Sequence, residues 1–389
     1  MQYRNFGKLD WQVSALGFGC MRLPILDGKS GNIDQEKTTE MIRRAIEGGV
    51  NYFDTAYVYH EQMSEVALGK ALEGGYRQRV RLATKLPVML VKESADFDRM
   101  LNEQQRRLQT STIDFYLLHG LNRARWQKVQ AMGLLDRAEA ALADGRIRYL
   151  GFSFHDNPEI FKEIVDGYDH WTFCQIQYNY MDIDFQAGTQ GLQYAASKGL
   201  GVVVMEPLRG GKLAINLPVV QLLWESANHK RKPADWALQW VWSQPEVSLA
   251  LSGMNSLAQV EENMASADAS RIGLLDVEEL ELIGKVRQTL KDLSPIPCTH
   301  CEYCMPCPNG VNIPLNFDVY NQIAIFNDLD HYRFQYKNFI QDDQKAVCCI
   351  QCDECLSKCP QQIAISSWMP VVDEVLGNNH PYIKVVSKG

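Results

Sequence analysis

VRLATKLPVMLVKESADFDRMLNEQQRRLQTSTIDFYLLH (80–119) contains the unit from which most of this chain is built. It opens on an apolar run, VRLATK, and closes on another, IDFYLLH. Both are apolar almost without interruption, as strands buried on both faces must be. Between them, DFDRMLNEQQRRLQTS (96–111) has helical periodicity and an acidic start. The same plan extends in both directions. Further apolar runs are ALGFGC (15–20), VNYFDTA (50–56), IRYLGFSF (147–154), FCQIQYN (173–179), LGVVVME (200–206) and VSLALSG (247–253), eight in all. Helical segments such as DQEKTTEMIRRAIEGG (34–49), AMGLLDRAEAALADG (131–145) and GTQGLQYAASKG (188–199) separate them. Eight strand–helix units in roughly 250 residues predict an α/β fold of the closed (β/α)8 TIM-barrel type. A doubly wound open sheet is the competing reading. It usually carries G-x-G-x-x-G after its first strand, whereas here Gly17-Phe18-Gly19 runs into Cys20, Met21 and Arg22.

The flanks complete the plan. YRNFGKLDWQVS (3–14) alternates around Gly7-Lys8 and reads as a hairpin plugging the barrel bottom. LDVEELELIGKVRQTLKDL (275–293) reads as one amphipathic helix, broken by Ser294-Pro295-Ile296-Pro297. We therefore expect a barrel over 1–293 and a second domain over 294–389.

That second domain is dominated by cysteine. Cys298, Cys301, Cys304 and Cys307 form C-x2-C-x2-C-x2-C before Pro308. Cys349, Cys352, Cys355 and Cys359 form C-x2-C-x2-C-x3-C before Pro360. Paired runs closed by Cys-Pro are the spacing that holds [4Fe-4S] clusters, with the fourth ligand often crossing between runs. Two clusters are expected. Zinc would need only two closely spaced pairs, and here each run offers four sulfurs. The intervening 308–348 is rich in helix formers, so a mostly α-helical ferredoxin-like iron–sulfur domain is expected rather than a domain of β-hairpins. Cys20 and Cys174 read as buried thiols, and Cys348 as a spare beside Cys349.

Bulk properties narrow the function. The chain has 389 residues, 46% hydrophobic and 22% charged, which suits a globular protein. No apolar run is long enough to span a bilayer, so no membrane role is expected. A net charge of −8 argues against nucleic-acid binding. Eleven cysteines, and no apolar signal-type stretch in MQYRNFGKLD, make a reducing cytoplasm the expected compartment.

Four titratable residues stand at the ends of consecutive expected strands: Asp54 and Tyr59 in NYFDTAYVYH, Lys85 in RLATKLP and His119 in DFYLLHG. Strand C-terminal ends form a barrel's mouth, where chemistry occurs. A phenol titrates near ~10, and an adjacent ammonium lowers that value. Lys85 can supply the charge, Asp54 can hold Lys85, and His119 can orient a carbonyl oxygen. The set is a proton donor aimed at a carbonyl that takes hydride from elsewhere. No nucleophile elbow is present.

These residues resemble the Asp–Tyr–Lys–His tetrad of the aldo-keto reductases. GFS (151–153), Gln175 and VEEN (260–263) match as well. With the cysteine runs, the chain is similar to the subgroup that carries a C-terminal 4Fe-4S ferredoxin-type domain. The resemblance implies an NAD(P)H-dependent carbonyl oxidoreductase acting on a small carbonyl or alcohol, with Tyr59 as general acid. It places Ser153 and Gln175 on the nicotinamide carboxamide. Met205, Leu208, Gly210, Lys212, Ser252, Asn255, Gln259, Glu262 and Asn263 would line the rest of the nucleotide site. The sequence departs from the family at Phe154, where Asn is usual, and at Met205 and Glu206, where an aromatic often stacks. Those departures leave room for a flavin in the same mouth.

Hydride moves two electrons and a cluster one. Coupling them requires a flavin, a radical intermediate or a redox protein partner. Alternatives to an NAD(P)H-linked reductase are therefore a flavin- or ferredoxin-linked dehydrogenase, or a non-enzymatic redox-sensing subunit on the same barrel. The clusters themselves would serve electron transfer or structure.

Overall fold

The computed structural model of the chain describes residues 1–298, 303–359 and 361–382. They form two compact units. One is Met1–Asn216 with Ala227–Glu281; the other is Leu217–Ser226 with the chain from Leu282 onward.

The first unit begins with an antiparallel hairpin, β1 (Tyr3–Phe6) and β2 (Leu9–Ser14), turning at Gly7. Eight parallel strands then close into a barrel: β3 (Leu16–Gly19), β4 (Tyr52–Asp54), β5 (Arg81–Leu86), β6 (Ile113–Leu121), β7 (Ile147–Phe154), β8 (Phe173–Gln177), β9 (Gly201–Met205) and β10 (Leu249–Gly253). They lie in sequence order, and β10 returns to pair with β3. Each expected apolar run supplies one strand, and the open-sheet alternative is excluded by closure.

Two apolar layers hold the barrel. Phe6, Tyr52, Phe115, Phe173, Val203 and Leu249 cluster inside it. A larger cluster, with Leu68, Phe97, Leu101, Phe161 and Trp242 among its members, lies between strands and helices. The hairpin closes the N-terminal end of the strands. Phe6 is fully buried, its ring 4.9 Å from Phe115 and 5.7 Å from Phe173. Burying such a side chain is worth ~1.5–3 kcal/mol. Gly7 permits the plug: its φ is +55°, and a Cβ there would meet the Gly201 nitrogen at 2.4 Å. No larger residue fits that approach.

Helix starts follow local chemistry. Asp34 caps the helix Gln35–Glu47 by accepting from the Lys37 N–H at 3.1 Å. Asn122, Asn157 and Ser256 cap later helices in the same way. Asp96 is different. It is the first residue of its helix, Asp96–Arg107, and its carboxylate accepts from Lys92 and Glu93 N–H groups in the preceding loop.

In the second unit, the stretch between the cysteine runs forms the helices Ile313–Phe326 and Leu329–Phe339, and Ile365–Leu376 follows the second run. The unit is mostly helical, as the composition of 308–348 predicts. No helix among the described residues is long and apolar enough to cross a membrane.

Candidate active site and metal centre

The tetrad forms because parallel register aligns the strand ends. Asp54 pairs with Ala83, and Lys85 with Leu117, placing Lys85 one pleat above Asp54 on the same inner wall. The Lys85 side chain is 1% exposed. Its ammonium donates to Asp54 Oδ1 at 2.5 Å, to the Thr55 carbonyl at 2.8 Å and to Tyr59 Oη at 3.4 Å. Tyr59 reaches back from a tight turn in which His60, Glu61 and Gln62 all have positive φ. The His119 ring stands edge-on to Tyr59, centroids 6.0 Å apart. The structure thus brings together the four residues singled out in the sequence.

Electrostatics sharpen the picture and change one part of it. Burial raises the Tyr59 phenol above its ordinary value; the Lys85 charge pulls it down, and Asp54 and Glu206 push it up further. The sequence led us to expect a lowered phenol. The Lys85 ammonium is instead committed chiefly to Asp54, so its pull on Tyr59 does not overcome desolvation. For Lys85, burial disfavours the charge, but Asp54 and Tyr59 outweigh it and hold the pKa above that of a free lysine. His119 is driven well below an ordinary imidazole by burial, then by Lys85, His155 and Arg125. It is neutral at physiological pH and can donate through one nitrogen, and its Nδ1 is buried without a partner.

A second polar network supports Lys85 from behind. Gln104 donates to the Lys85 carbonyl at 3.0 Å and to Glu65 at 2.7 Å. Glu65, fully buried, also accepts from Thr84 at 2.6 Å and pairs with Arg107 at 3.1 Å. Nothing in the local sequence marks Glu65 or Gln104 as special; each is one polar residue on a helix, Ser64–Ala71 and Asp96–Arg107. Glu206, just past β9, entered the sequence reading only as a departure from the usual stacking aromatic; burial raises its carboxyl, and its charge is felt at Tyr59.

In the second unit a cavity is lined by Cys304, Cys307, Cys349, Cys352 and Cys355, with Val311, Ile365 and Met369 behind them. Cys304 and Cys307 of the first run therefore lie with three cysteines of the second, and the charge of Cys307 is felt at Cys349 and Cys355. Left-handed backbone at Gln351 (φ +56°) and Asp353 (φ +62°) curls the 349–355 loop. The Gln351 N–H points at Cys349 Sγ, 3.4 Å away. A loop that gathers thiols and aims an amide at sulfur has the donor set of an iron–sulfur ligand loop. Cys298 and Cys359 do not line this cavity, and Cys301 lies outside the described residues. Cys348 turns away, its Sγ 3.2 Å from the Asp342 carbonyl. No two of the ten described cysteines form a disulfide with each other.

Comparison with known proteins agrees with this geometry. Residues 15–285 match the aldo/keto reductase family. The chain belongs to that family. Residues 297–364 match the 4Fe-4S dicluster domain. Among curated relatives, L-galactose dehydrogenase of Arabidopsis thaliana is 27% identical over 318 residues, 76% of this chain and 94% of that protein. Among solved structures, the holo form of aldo-keto reductase AKR11C1 from Bacillus halodurans is 29% identical with a TM-score of 0.62, covering 74% of this chain and 96% of that one. An aldo/keto reductase from Klebsiella pneumoniae in complex with NADP and acetate is 25% identical, TM-score 0.57, covering 73% and 95%.

As an aldo/keto reductase the chain is an oxidoreductase, and its mouth can be tested for a nicotinamide nucleotide. Ser153 and Gln175 are register partners on β7 and β8, 1% and 2% exposed. Ser153 Oγ accepts from the Gly120 N–H at 2.7 Å, and Gln175 Oε1 is buried with no partner. An orphaned amide oxygen is what a carboxamide N–H would satisfy. Met205 ends β9; Leu208 packs on the barrel core; Gly210 and Lys212 lie in a loop with two left-handed glycines. Ser252 is the next-to-last residue of β10 and accepts from Asn263 at 2.9 Å. The Asn255 N–H donates to Gln259 at the N-terminus of the helix Leu257–Ala269, a location suited to phosphate. Glu262 is the exception: it is half exposed and pairs with Lys232 at 2.6 Å. The donor set fits a dinucleotide, with Glu262 on its outer margin.

Proposed function

We propose that this aldo/keto reductase reduces an aldehyde or ketone, or oxidises the matching alcohol, with Tyr59 as proton donor. The observation that carries the reading is the buried Asp54–Lys85 pair with Tyr59 Oη 3.4 Å from the ammonium and His119 beside it. A bound reduced nicotinamide supplies the hydride that the carbonyl carbon accepts. The residues do the rest. Gln175 and Ser153 hold the carboxamide, and neutral His119 donates a hydrogen bond to the carbonyl oxygen. Tyr59 delivers its proton to that oxygen as the alcohol forms. Lys85, kept charged by Asp54, stabilises the phenolate left behind. The Klebsiella relative in complex with NADP supports the choice of nucleotide class. Nucleotide oxidation that depends on added aldehyde, followed by absorbance with NADPH and with NADH, tests it. No carbonyl-dependent oxidation with either nucleotide would reject it.

The pH dependence follows from the site. The donating form of Tyr59 is the protonated one, and its pKa is held above the ordinary value of about 10. The rate of reduction is then fully present at neutral pH and lost only as pH rises past that value. His119 is held below the ordinary imidazole value, so it does not titrate near neutrality. We expect kcat/KM for reduction to be flat from about pH 6 to 9. An inflection at the ordinary histidine value of about 6.5 would mean that a charged imidazole takes part.

The cysteine grouping supports two clusters. Cys307, Cys349, Cys352 and Cys355 would ligate one, and Cys298, Cys301, Cys304 and Cys359 the other. When bound, clusters supply one-electron transfer. The close thiolates of the 349–355 loop would repel one another without the compensating charge of iron. Cys307→Ser should cost about half the iron and sulfide of anaerobically purified protein, while Cys348→Ser should cost none. Equal loss from both would refute the assignment. Where the electrons go, to a redox protein partner or nowhere, is read from activity after cluster loss.

A further inference from the structure

A positively charged site lies beside the tetrad on the β6–β7 side of the mouth. Arg125 is in the first turn of the helix Arg123–Ala131, whose cap Asn122 accepts the Arg125 N–H at 2.9 Å. Its side chain doubles back, and Nη1 donates to the Gly120 carbonyl at 2.6 Å. Gly120 follows His119 directly. A methyl group built on Gly120 would lie 2.7 Å from Arg125 Nη1 and 3.7 Å from His155 Cδ2. The guanidinium and the His155 ring therefore meet at the end of β6, one residue from the proposed carbonyl-binding histidine.

What Arg125 lacks is an anion. The other partly buried arginines of the barrel have carboxylates: Arg77 pairs with Asp114, Arg107 with Glu65, Arg146 with Asp98 and Arg209 with Asp182. Arg4 and Arg43 have none but donate to three and two backbone carbonyls. Arg125 has one carbonyl, and Nε and Nη2 have no partner among the described residues. Burial depresses its pKa with no acid to offset the effect. A partly desolvated guanidinium with two donors open is a fork for a carboxylate. A neighbouring atom is also unsatisfied: His119 Nδ1 is buried without a partner, and Gln186 hydrogen-bonds His155. Glu206 presents a carboxyl outside the tetrad whose charge is felt at the phenol. A substrate carboxylate is repelled there and attracted toward Arg125, which fixes its orientation.

We propose that Arg125, with His155 beside it, binds the carboxylate of an oxo-acid substrate whose carbonyl group lies at Tyr59 and His119. The inference rests on the carbonyl-reductase reading above and narrows its substrate class to carbonyl compounds that carry an acid group. The reaction is unchanged in balance. The carbonyl carbon gains the hydride, its oxygen gains the Tyr59 proton, and the carboxylate is carried through unaltered.

The test compares 3- and 4-carboxybenzaldehyde with their neutral carboxamides. The wild-type protein should favour at least one acid over its carboxamide by about tenfold or more in kcat/KM, as a charge-assisted pair implies. In Arg125→Met that ratio should fall to near one, and Arg125→Lys should keep part of it. A binding arm needs no turnover: isophthalate, titrated calorimetrically into full-length protein with saturating NADP+, should bind about tenfold or more weakly to Arg125→Met than to wild type. Tyr59→Phe should stop reduction of every aldehyde yet leave isophthalate binding in place. Equal ratios in wild type and Arg125→Met, or equal isophthalate affinities, would overturn the anion site while leaving carbonyl reduction standing. Isophthalate binding that depends on Arg125, in a protein that reduces no aldehyde, would sink the reductase reading instead.

Discussion

Tyr59→Phe is expected to reduce carbonyl turnover by about 10²–10⁴-fold, the usual worth of a positioned general acid. The substitution removes one oxygen and little else. The ring keeps its edge-on contact with His119, at 6.0 Å between centroids, and its place under the Lys85 ammonium, 4.9 Å from the ring centre. Nucleotide affinity should not change, because Ser153, Gln175 and the Gly210 loop are untouched. The fall should appear in kcat, with KM for the aldehyde altered far less. Steady-state kinetics beside a nucleotide titration separate these effects. A variant with wild-type kcat would remove Tyr59 from the chemistry and transfer suspicion to His119.

The second large effect concerns the ion pair beneath it. Asp54 and Lys85 are almost completely buried, 2.5 Å apart. Removing Asp54 leaves the ammonium in the barrel wall with only the Thr55 carbonyl and Tyr59 Oη to satisfy it, at a cost of about 3–5 kcal/mol. Asp54→Leu should therefore lower thermal stability sharply as well as activity. Replacing both partners removes the stranded charge. Asp54→Leu with Lys85→Met should regain most of the lost stability, because apolar residues often substitute for a buried pair without net loss. Its activity should stay low, since Tyr59 then has no ammonium to stabilise the phenolate. Thermal unfolding of the two singles and the double decides the matter. A double variant no more stable than Asp54→Leu would show that the pair is itself a main source of stability. The prediction then distinguishes a pair kept for chemistry from one kept for folding.

Much of the site was legible because a barrel converts sequence position into spatial position. A residue at the C-terminal end of a parallel strand can only lie at the mouth. Asp54, Lys85 and His119 are each the polar end of an apolar run, so their convergence followed from the count of runs. The cysteine runs were legible for a different reason: x2 spacing places successive thiols on one curled loop. The ligand grouping was less so. Cys304 and Cys307 are three residues apart, and only the folded loop shows both lining one cavity with Cys349, Cys352 and Cys355.

Glu65 and Gln104 illustrate the opposite case. Each is a polar residue on a helix, and each turns its polar group inward toward Thr84 and Lys85. Burial of a polar side chain is a property of its surroundings, and periodicity does not encode it. The direction of the Tyr59 pKa also escaped the sequence. The charges near the phenol could be named, yet desolvation depends on how tightly the mouth is walled.

Taken alone, the order of apolar runs and cysteines settled the barrel, the helical cluster-binding unit and the residues at the strand ends, because those depend on period and spacing. The folded chain decided how charge is shared among them. Lys85 belongs first to Asp54, Tyr59 is a harder acid than its neighbours suggested, and Arg125 stands without a counter-ion at His119's shoulder. The physical reason is that Coulomb energy and desolvation are set by distances and walls that arise from residues far apart in the chain.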